Sequence, residues 1–205
     1  MASLGLQILG VALSFVGLLG SIITCALPMW RVTAFIGNNM IWEGLWMVCV
    51  PQSTEHMQCK VYDSTLALST DLQAARALLV LSIVLSVFGI LLAVVGGKCT
   101  TCIENKTSKE RVVISAGVFF IISGLLCLTP VCYSAHTIIH GFYHPLLSDV
   151  RRLELGASLY TGWSAAGLLL TGGTILCCQC QQKDERAFVP KYSAPTSNAS
   201  EKEYV

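Results

Sequence analysis

Charge is what this sequence has least of. Only 12% of its 205 residues are Asp, Glu, Lys or Arg, against 54% hydrophobic residues. A soluble domain carries roughly a quarter charged residues, so this shortage, with a mean hydropathy of +0.65, points to a chain that lives in lipid. The formal net charge of +1 gives no basis for nucleic acid or an acidic substrate as a partner. Catalytic patterns are missing too. The sequence contains no Gly-rich phosphate loop, no HExxH and no GxSxG, and an enzyme reading has no constellation to rest on.

What is present in quantity is apolar run. Four uncharged stretches, 7–27, 77–97, 112–134 and 157–178, each reach the length of about 20 residues that a bilayer-crossing helix needs. None holds an Asp, Glu, Lys or Arg, which removes the intramembrane charge expected of a transporter site or proton relay. The first run is read as a retained span, because no Lys or Arg precedes it and it is longer than a signal core. Basic residues are denser in the loop 98–111 (Lys98, Lys106, Lys109, Arg111) and in the tail (Lys183, Arg186, Lys191, Lys202) than in the loops 28–76 and 135–156. Loop and tail are therefore expected in the cytoplasm with both termini, and the two larger loops outside. In the first span Gly10, Ser14, Gly17 and Ser21 put small residues on one helix face, where a second helix can approach closely.

The first outer loop is rich in β-branched and aromatic residues. Arg31–Ile36, Met40–Val50 and His56–Tyr62 read as strands, with turn signals at Gly37-Asn38-Asn39 and Pro51-Gln52-Ser53-Thr54. Cys49 and Cys59 then fall on neighbouring strands in an oxidising compartment, where a disulfide persists. A sheet stapled in this way suits a small layer without a full core. Tyr62-Asp63-Ser64 begins a short helical stretch, Thr70-Asp71-Leu72-Gln73 is a capping-box pattern, and Arg76 reads as an interfacial anchor. Pro130 is expected to bend the third span.

His136, His140 and His144 recur every four residues, a spacing at which His pairs can bind metal. The plainer reading, a polar and partly exposed helix end, is preferred, and no metal is assigned. Phe142, Tyr143, Leu146 and Leu147 flank His144-Pro145 and suggest an apolar contact patch. On the cytoplasmic side, Cys99, Cys102, Cys177, Cys178 and Cys180 have no His on the same side of the membrane, and juxtamembrane cysteines are usual acylation targets, so S-acylation is expected rather than zinc. The tail 182–205 is polar and expected to be disordered. It ends Tyr204-Val205, and a free C-terminal Val suits β-augmentation of a PDZ domain.

Trp30, Gly44-Leu45-Trp46, Cys49 and Cys59 together resemble the W–GLW–C–C signature of the claudin family. The likeness continues through Gln58-Cys59-Lys60-Val61-Tyr62-Asp63-Ser64, Leu72-Gln73-Ala74-Ala75-Arg76-Ala77, Gly96-Gly97-Lys98-Cys99, Pro130, Phe142-Tyr143, Glu154-Leu155-Gly156 and Tyr204-Val205. It implies a membrane α+β fold for residues 1–181: a left-handed four-helix bundle carrying a small extracellular antiparallel β-sheet. It also implies a plasma-membrane tight-junction protein with no cofactor. Such a protein polymerises with itself and other claudins, within one membrane and across to the next cell, into a paracellular barrier or ion-selective pore. Its tail would bind PDZ scaffolds of the zonula-occludens type.

By the same resemblance Lys60, directly after the second signature cysteine, occupies a charge-selectivity position that is acidic in cation-conducting members. The expected outcome is a cation barrier or weak anion preference. Two departures stand out. The segment from Phe35 to Ile41 is several residues shorter than the family's usual link, which bears on side-by-side polymerisation. His144 replaces the Asn that precedes Pro in relatives bound by a bacterial enterotoxin, so that partner is implied only in part, by Leu146 and Leu147. The competing assignment is a related W–GLW–C–C tetraspan acting in membrane adhesion or as a channel auxiliary subunit. Those proteins typically carry a glycosylation triplet in the first loop, and Asn38-Asn39-Met40-Ile41 provides none.

Overall fold

The computed structural model describes residues 2–35, 39–51, 57–63, 69–97, 106–142 and 151–187. Four helices, α1 (Ala2–Ala26), α2 (Thr70–Gly96), α3 (Lys106–Phe142) and α4 (Ala157–Ala187), contain the four apolar runs. All four are long and apolar enough to cross a membrane. Each packs against its neighbours in sequence, and α4 closes the ring onto α1.

The α1–α4 seam is built from the small-residue face. Ser14 and Ser21 are fully buried, and their hydroxyls donate back along the helix to Gly10 O (2.9 Å) and Gly17 O (3.0 Å). A Cβ on Gly17 would stand 2.9 Å from Leu169 and 3.1 Å from Ala165 O. Only glycine lets the two backbones approach this closely. The α2–α3 seam holds a buried serine cluster. Ser82 Oγ lies 2.9 Å from Ser123 Oγ, Ser86 Oγ lies 2.5 Å from it, and Ser86 also donates to Ser82 O at 2.8 Å. With no water in the hydrocarbon, hydroxyls on facing helices satisfy one another.

Five short strands, β1 (Arg31–Phe35), β2 (Asn39–Glu43), β3 (Met47–Pro51), β4 (Met57–Val61) and β5 (Arg151–Leu155), form one antiparallel sheet in the order β4-β3-β2-β1-β5. Chain ends at α1, α2 and α4 feed the sheet, so it sits over one end of the bundle. A core cluster joins the two layers: Trp30 and Leu45 from the sheet side pack with Leu72, Leu79, Val131, Ile138 and Leu159. A second cluster, around Phe120, Leu169 and Leu176, fills the bundle further from the sheet.

Several expectations need correcting. Met40–Val50 is two strands, broken at Gly44-Leu45-Trp46, because Leu45 turns inward to full burial and cannot stay in the ladder. The loop 135–156 is shorter than read. Residues 135–142 continue α3, and 151–155 are β5, paired with β1 from Arg31↔Leu155 to Phe35↔Arg151. At 37 residues α3 is roughly 55 Å long at 1.5 Å per residue, well beyond the ~30 Å hydrocarbon core. It runs through buried Pro130 as one helix. α4 likewise extends to Ala187, past the expected start of the tail at 182. Thr70 is the first helical residue of α2 and not its cap. Ser69 occupies the cap without a side-chain hydrogen bond. Of the two turn signals, Asn39 opens β2 and Pro51 closes β3, while Gly37-Asn38 and Gln52-Ser53-Thr54 lie outside the described residues, as does the helical stretch after Asp63.

Candidate functional site

The signature residues meet where the sheet sits on the bundle. Trp30 is 1% exposed, and its indole Nε1 donates to Thr24 O at 2.8 Å. That carbonyl belongs to the last turn of α1, where carbonyls lack a helical partner. The indole thus both fills the core and closes a helix end. The Trp30 amide donates to Glu43 O (3.0 Å), and the Gly44 amide donates to Met47 O (3.0 Å). Gly44 sits directly against Pro28, whose backbone would meet any Cβ there. Leu45 is fully buried.

Its carbonyl accepts from both Arg76 Nε (3.1 Å) and Arg76 Nη2. The same guanidinium lies 4.3 Å from the centroid of the Trp46 ring. One α2 side chain therefore clamps two consecutive residues of the β2–β3 turn, by charge-assisted hydrogen bonds and by a cation–π contact. Tyr62, at the exit of β4, donates its amide to Trp46 O (3.3 Å). Burial pushes the Tyr62 phenol above its ordinary range and Glu43 pushes it further, while Arg76 and Arg31 pull it down. Arg31 Nε is buried and has no hydrogen-bond partner among the described residues.

The outer rim is β4. Cys49 and Cys59 are directly opposite in the β3–β4 register and are disulfide-bonded. Cys49 is fully buried, whereas every residue of β4 is exposed. Lys60 follows the disulfide, and its ammonium is 3.1 Å from the Asp63 carboxylate, with side chains 77% and 81% exposed. The expected selectivity charge thus stands beside a charge of opposite sign.

The structure brings Trp30, Gly44, Leu45 and Trp46 together and adds Arg76 to them. Of the histidines read as a possible ligand set, only His136 and His140 are described. Their rings are tilted by 33° to each other with centroids 6.1 Å apart, on the exposed side of α3. Among the described residues no group of three or more His, Cys, Asp or Glu could hold a metal. Cys177 is half-buried and Cys178 exposed at the far end of α4. The positions of Cys99, Cys102, Tyr143, His144, Pro145, Leu146, Leu147, Tyr204 and Val205, and the side chains of Phe142 and Cys180, lie outside the described residues.

Sequence reasoning missed β5, the serine cluster and the double contact of Arg76. The alternation Arg152-Leu153-Glu154-Leu155 was the available signal for β5. The other two depend on residues 31 to 41 positions apart in the chain, and local pattern cannot see them.

The model of the PMP-22/EMP/MP20/Claudin family matches residues 4–176. Among curated proteins, the chain is 60% identical over 202 residues to a zebrafish (Danio rerio) claudin-like protein, ZF-A89, covering 96% of this chain and 97% of the relative. It is 55% identical to human claudin-4 over 205 residues, covering 98% of both chains. Human claudin-6 is 53% identical over 214 residues, with 100% of this chain and 97% of the relative covered.

Proposed function

The chain belongs to the PMP-22/EMP/MP20/Claudin family, on its claudin side, and from that premise we propose that it builds paracellular tight-junction strands by self-association in the membrane and across cells. It is a multi-pass membrane protein of a structural family, not an enzyme. Its likeness to claudins over nearly their full length favours this reading over a related adhesion or channel-subunit tetraspan.

One observation carries the proposal: a disulfide-bonded sheet fixed to the end of the bundle by Trp30, Leu45 and Arg76, with its outermost strand exposed on every residue. Strand assembly needs a surface held at constant height and orientation above the bilayer, and this anchor supplies it. The density of basic residues puts both termini and the loop 98–111 in the cytoplasm, which leaves the sheet facing the neighbouring cell. There β4 presents Lys60 to the paracellular space, and Phe142, Tyr143, Pro145, Leu146 and Leu147 supply the trans contact. Lys60 biases the barrier against cations, and Asp63 limits that bias. Inside the cell, Tyr204 and Val205 dock a PDZ scaffold of the zonula-occludens type by strand addition. S-acylation among Cys99, Cys102, Cys177, Cys178 and Cys180 tunes sorting, since four spans already hold the protein in the bilayer.

The test is expression in cells that form no junctional strands, followed by freeze-fracture of their contacts. Continuous strands at contacts between expressing cells are expected. Surface-delivered protein without strands would overturn the proposal.

A further inference from the structure

Where α2 passes from the sheet into its charge-free run, Trp46, Gln73, Arg76, Ala77 and Val80 line an open groove of about 300 Å3. The four helical positions follow at intervals of three, one and three and so share one face of α2. Polarity changes along that face. Gln73 and Arg76 lie toward the sheet, and Ala77 opens the run 77–97 that has no charge. Ala77 is exposed, and Val80 is 42% exposed, so the lower groove opens toward lipid. The opposite wall is Trp46, 39% exposed, an amphipathic ring of the kind that settles at headgroup level. None of the lining residues is acidic.

Arg76 is held in place before any ligand arrives. Its bonds to Leu45 O and its seat on Trp46 fix the plane of the guanidinium. A fixed, planar, weakly hydrated cation at the boundary of the hydrocarbon is suited to a phosphate oxygen, and phosphodiesters are the anions concentrated at that depth. We propose that this groove binds one phospholipid of the leaflet on the sheet side. The phosphate lies against Arg76, and the first methylenes of an acyl chain run along Ala77 and Val80. The site is independent of strand formation and of any role for Lys60.

The protein is reconstituted into phosphatidylcholine vesicles doped with a phosphatidylcholine carrying a diazirine near the glycerol. A parallel sample carries a diacylglycerol with the same diazirine and no phosphate. After irradiation, labelled positions are mapped by mass spectrometry. Label from the phosphatidylcholine probe should concentrate on Trp46 and on residues 73–80. The diacylglycerol probe should label them about tenfold less, the factor set by losing a hydrogen bond to a charged group. Arg76→Gln should lower the phosphatidylcholine label to the diacylglycerol level. Ala77→Phe fills the groove while leaving Arg76 in the sequence and should abolish the label. The linked Cys49–Cys59 peptide reports that each variant is folded, and Ala77→Phe decides the matter if Arg76→Gln does not fold. Label spread evenly over the lipid-facing residues of α1 and α2 would overturn the site. So would equal labelling by the two probes, no change in Ala77→Phe, or a cross-link from Trp46 to a second copy of the chain in place of lipid.

Discussion

Arg76 grips Trp46 from two directions: its guanidinium covers the indole at 4.3 Å while it donates to the carbonyl of the preceding residue, Leu45. Hydrogen bonds to a charged group contribute about 1.5–3 kcal/mol, and a cation–π contact about 0.5–1 kcal/mol when partly exposed. Arg76→Ala is therefore expected to cost about 2–3 kcal/mol, a fall of roughly 5–10 °C in melting temperature for a chain of this size. Arg76→Lys keeps the charge but loses the planar fork, and should fall between the two. Thermal unfolding in detergent, followed by tryptophan fluorescence, checks the order. A melting temperature unchanged in Arg76→Ala would remove the clamp from the account.

The Gly44-Leu45-Trp46 triplet acquires a physical reason at each position. Leu45 is an anchor, Trp46 a platform, and Gly44 a point of closest approach. A Cβ at Gly44 would run into the backbone of Pro28, which cannot swing away as a side-chain tip could. Gly44→Ala should cost about 1–3 kcal/mol through overpacking and reduce delivery to the cell surface. Gly167→Ala is the control, since none of the described residues lies within 4 Å of a Cβ there. Equal surface delivery of the two variants would contradict this assignment.

The disulfide closes a sequence separation of 10 residues, a constraint that contributes about 3 kcal/mol in the chain-entropy model. Its two ends are not equivalent, because Cys49 is fully buried and Cys59 is exposed. Cys59→Ser should lose only the cross-link. Cys49→Ser also buries a hydroxyl, at about 1–3 kcal/mol if it finds no partner, so it should be less stable than both Cys59→Ser and Cys49→Ala. Unfolding of the three variants, with non-reducing mass spectrometry of the parent, supplies the comparison. Equal losses for Cys49→Ser and Cys59→Ser would show that burial of Cys49 has no consequence.

The spans were legible because the bilayer imposes one simple demand: about 20 uncharged apolar residues. The small residues of α1 were legible for a related reason, since Gly10, Ser14, Gly17 and Ser21 repeat at helical spacing. The paired cysteines followed once β-branched and aromatic residues and the turn signals had placed strands around them. What stayed hidden was decided by contacts far apart in sequence. Nothing local marks Leu45 as a residue that leaves its strand to fill the core, so residues 40–50 read as one strand. Nothing local tells Arg76 from any interfacial arginine until Leu45 O is beside it. The helix ends of α3 and α4 were not legible because both helices continue past their apolar runs, where composition changes and backbone hydrogen bonding does not.

The charge at the rim of the sheet gives the sharpest test of the paracellular reading. Lys60 and Asp63 form an ion pair at 3.1 Å, yet both side chains are more than three-quarters exposed. Pairs of this kind are worth about 0–1 kcal/mol, so Asp63 offsets the field of Lys60 without fixing its side chain. A passing cation about 4 Å from a fixed positive charge is repelled by about 4 kcal/mol at an effective dielectric of 20, before salt screening. Even a tenth of that shifts a permeability ratio about twofold. Asp63→Asn removes the offset and should move conduction about twofold further toward chloride. Lys60→Asp leaves two carboxylates at the same place and should move it the other way, toward sodium. Because the pair is exposed, neither change should disturb the sheet, and both proteins should keep the Cys49–Cys59 bond. Dilution potentials across an epithelial layer expressing each variant measure the ratio. Opposite shifts would assign selectivity to this corner of β4. Identical ratios for parent and both variants, all present in strands, would mean that ions pass elsewhere along the sheet.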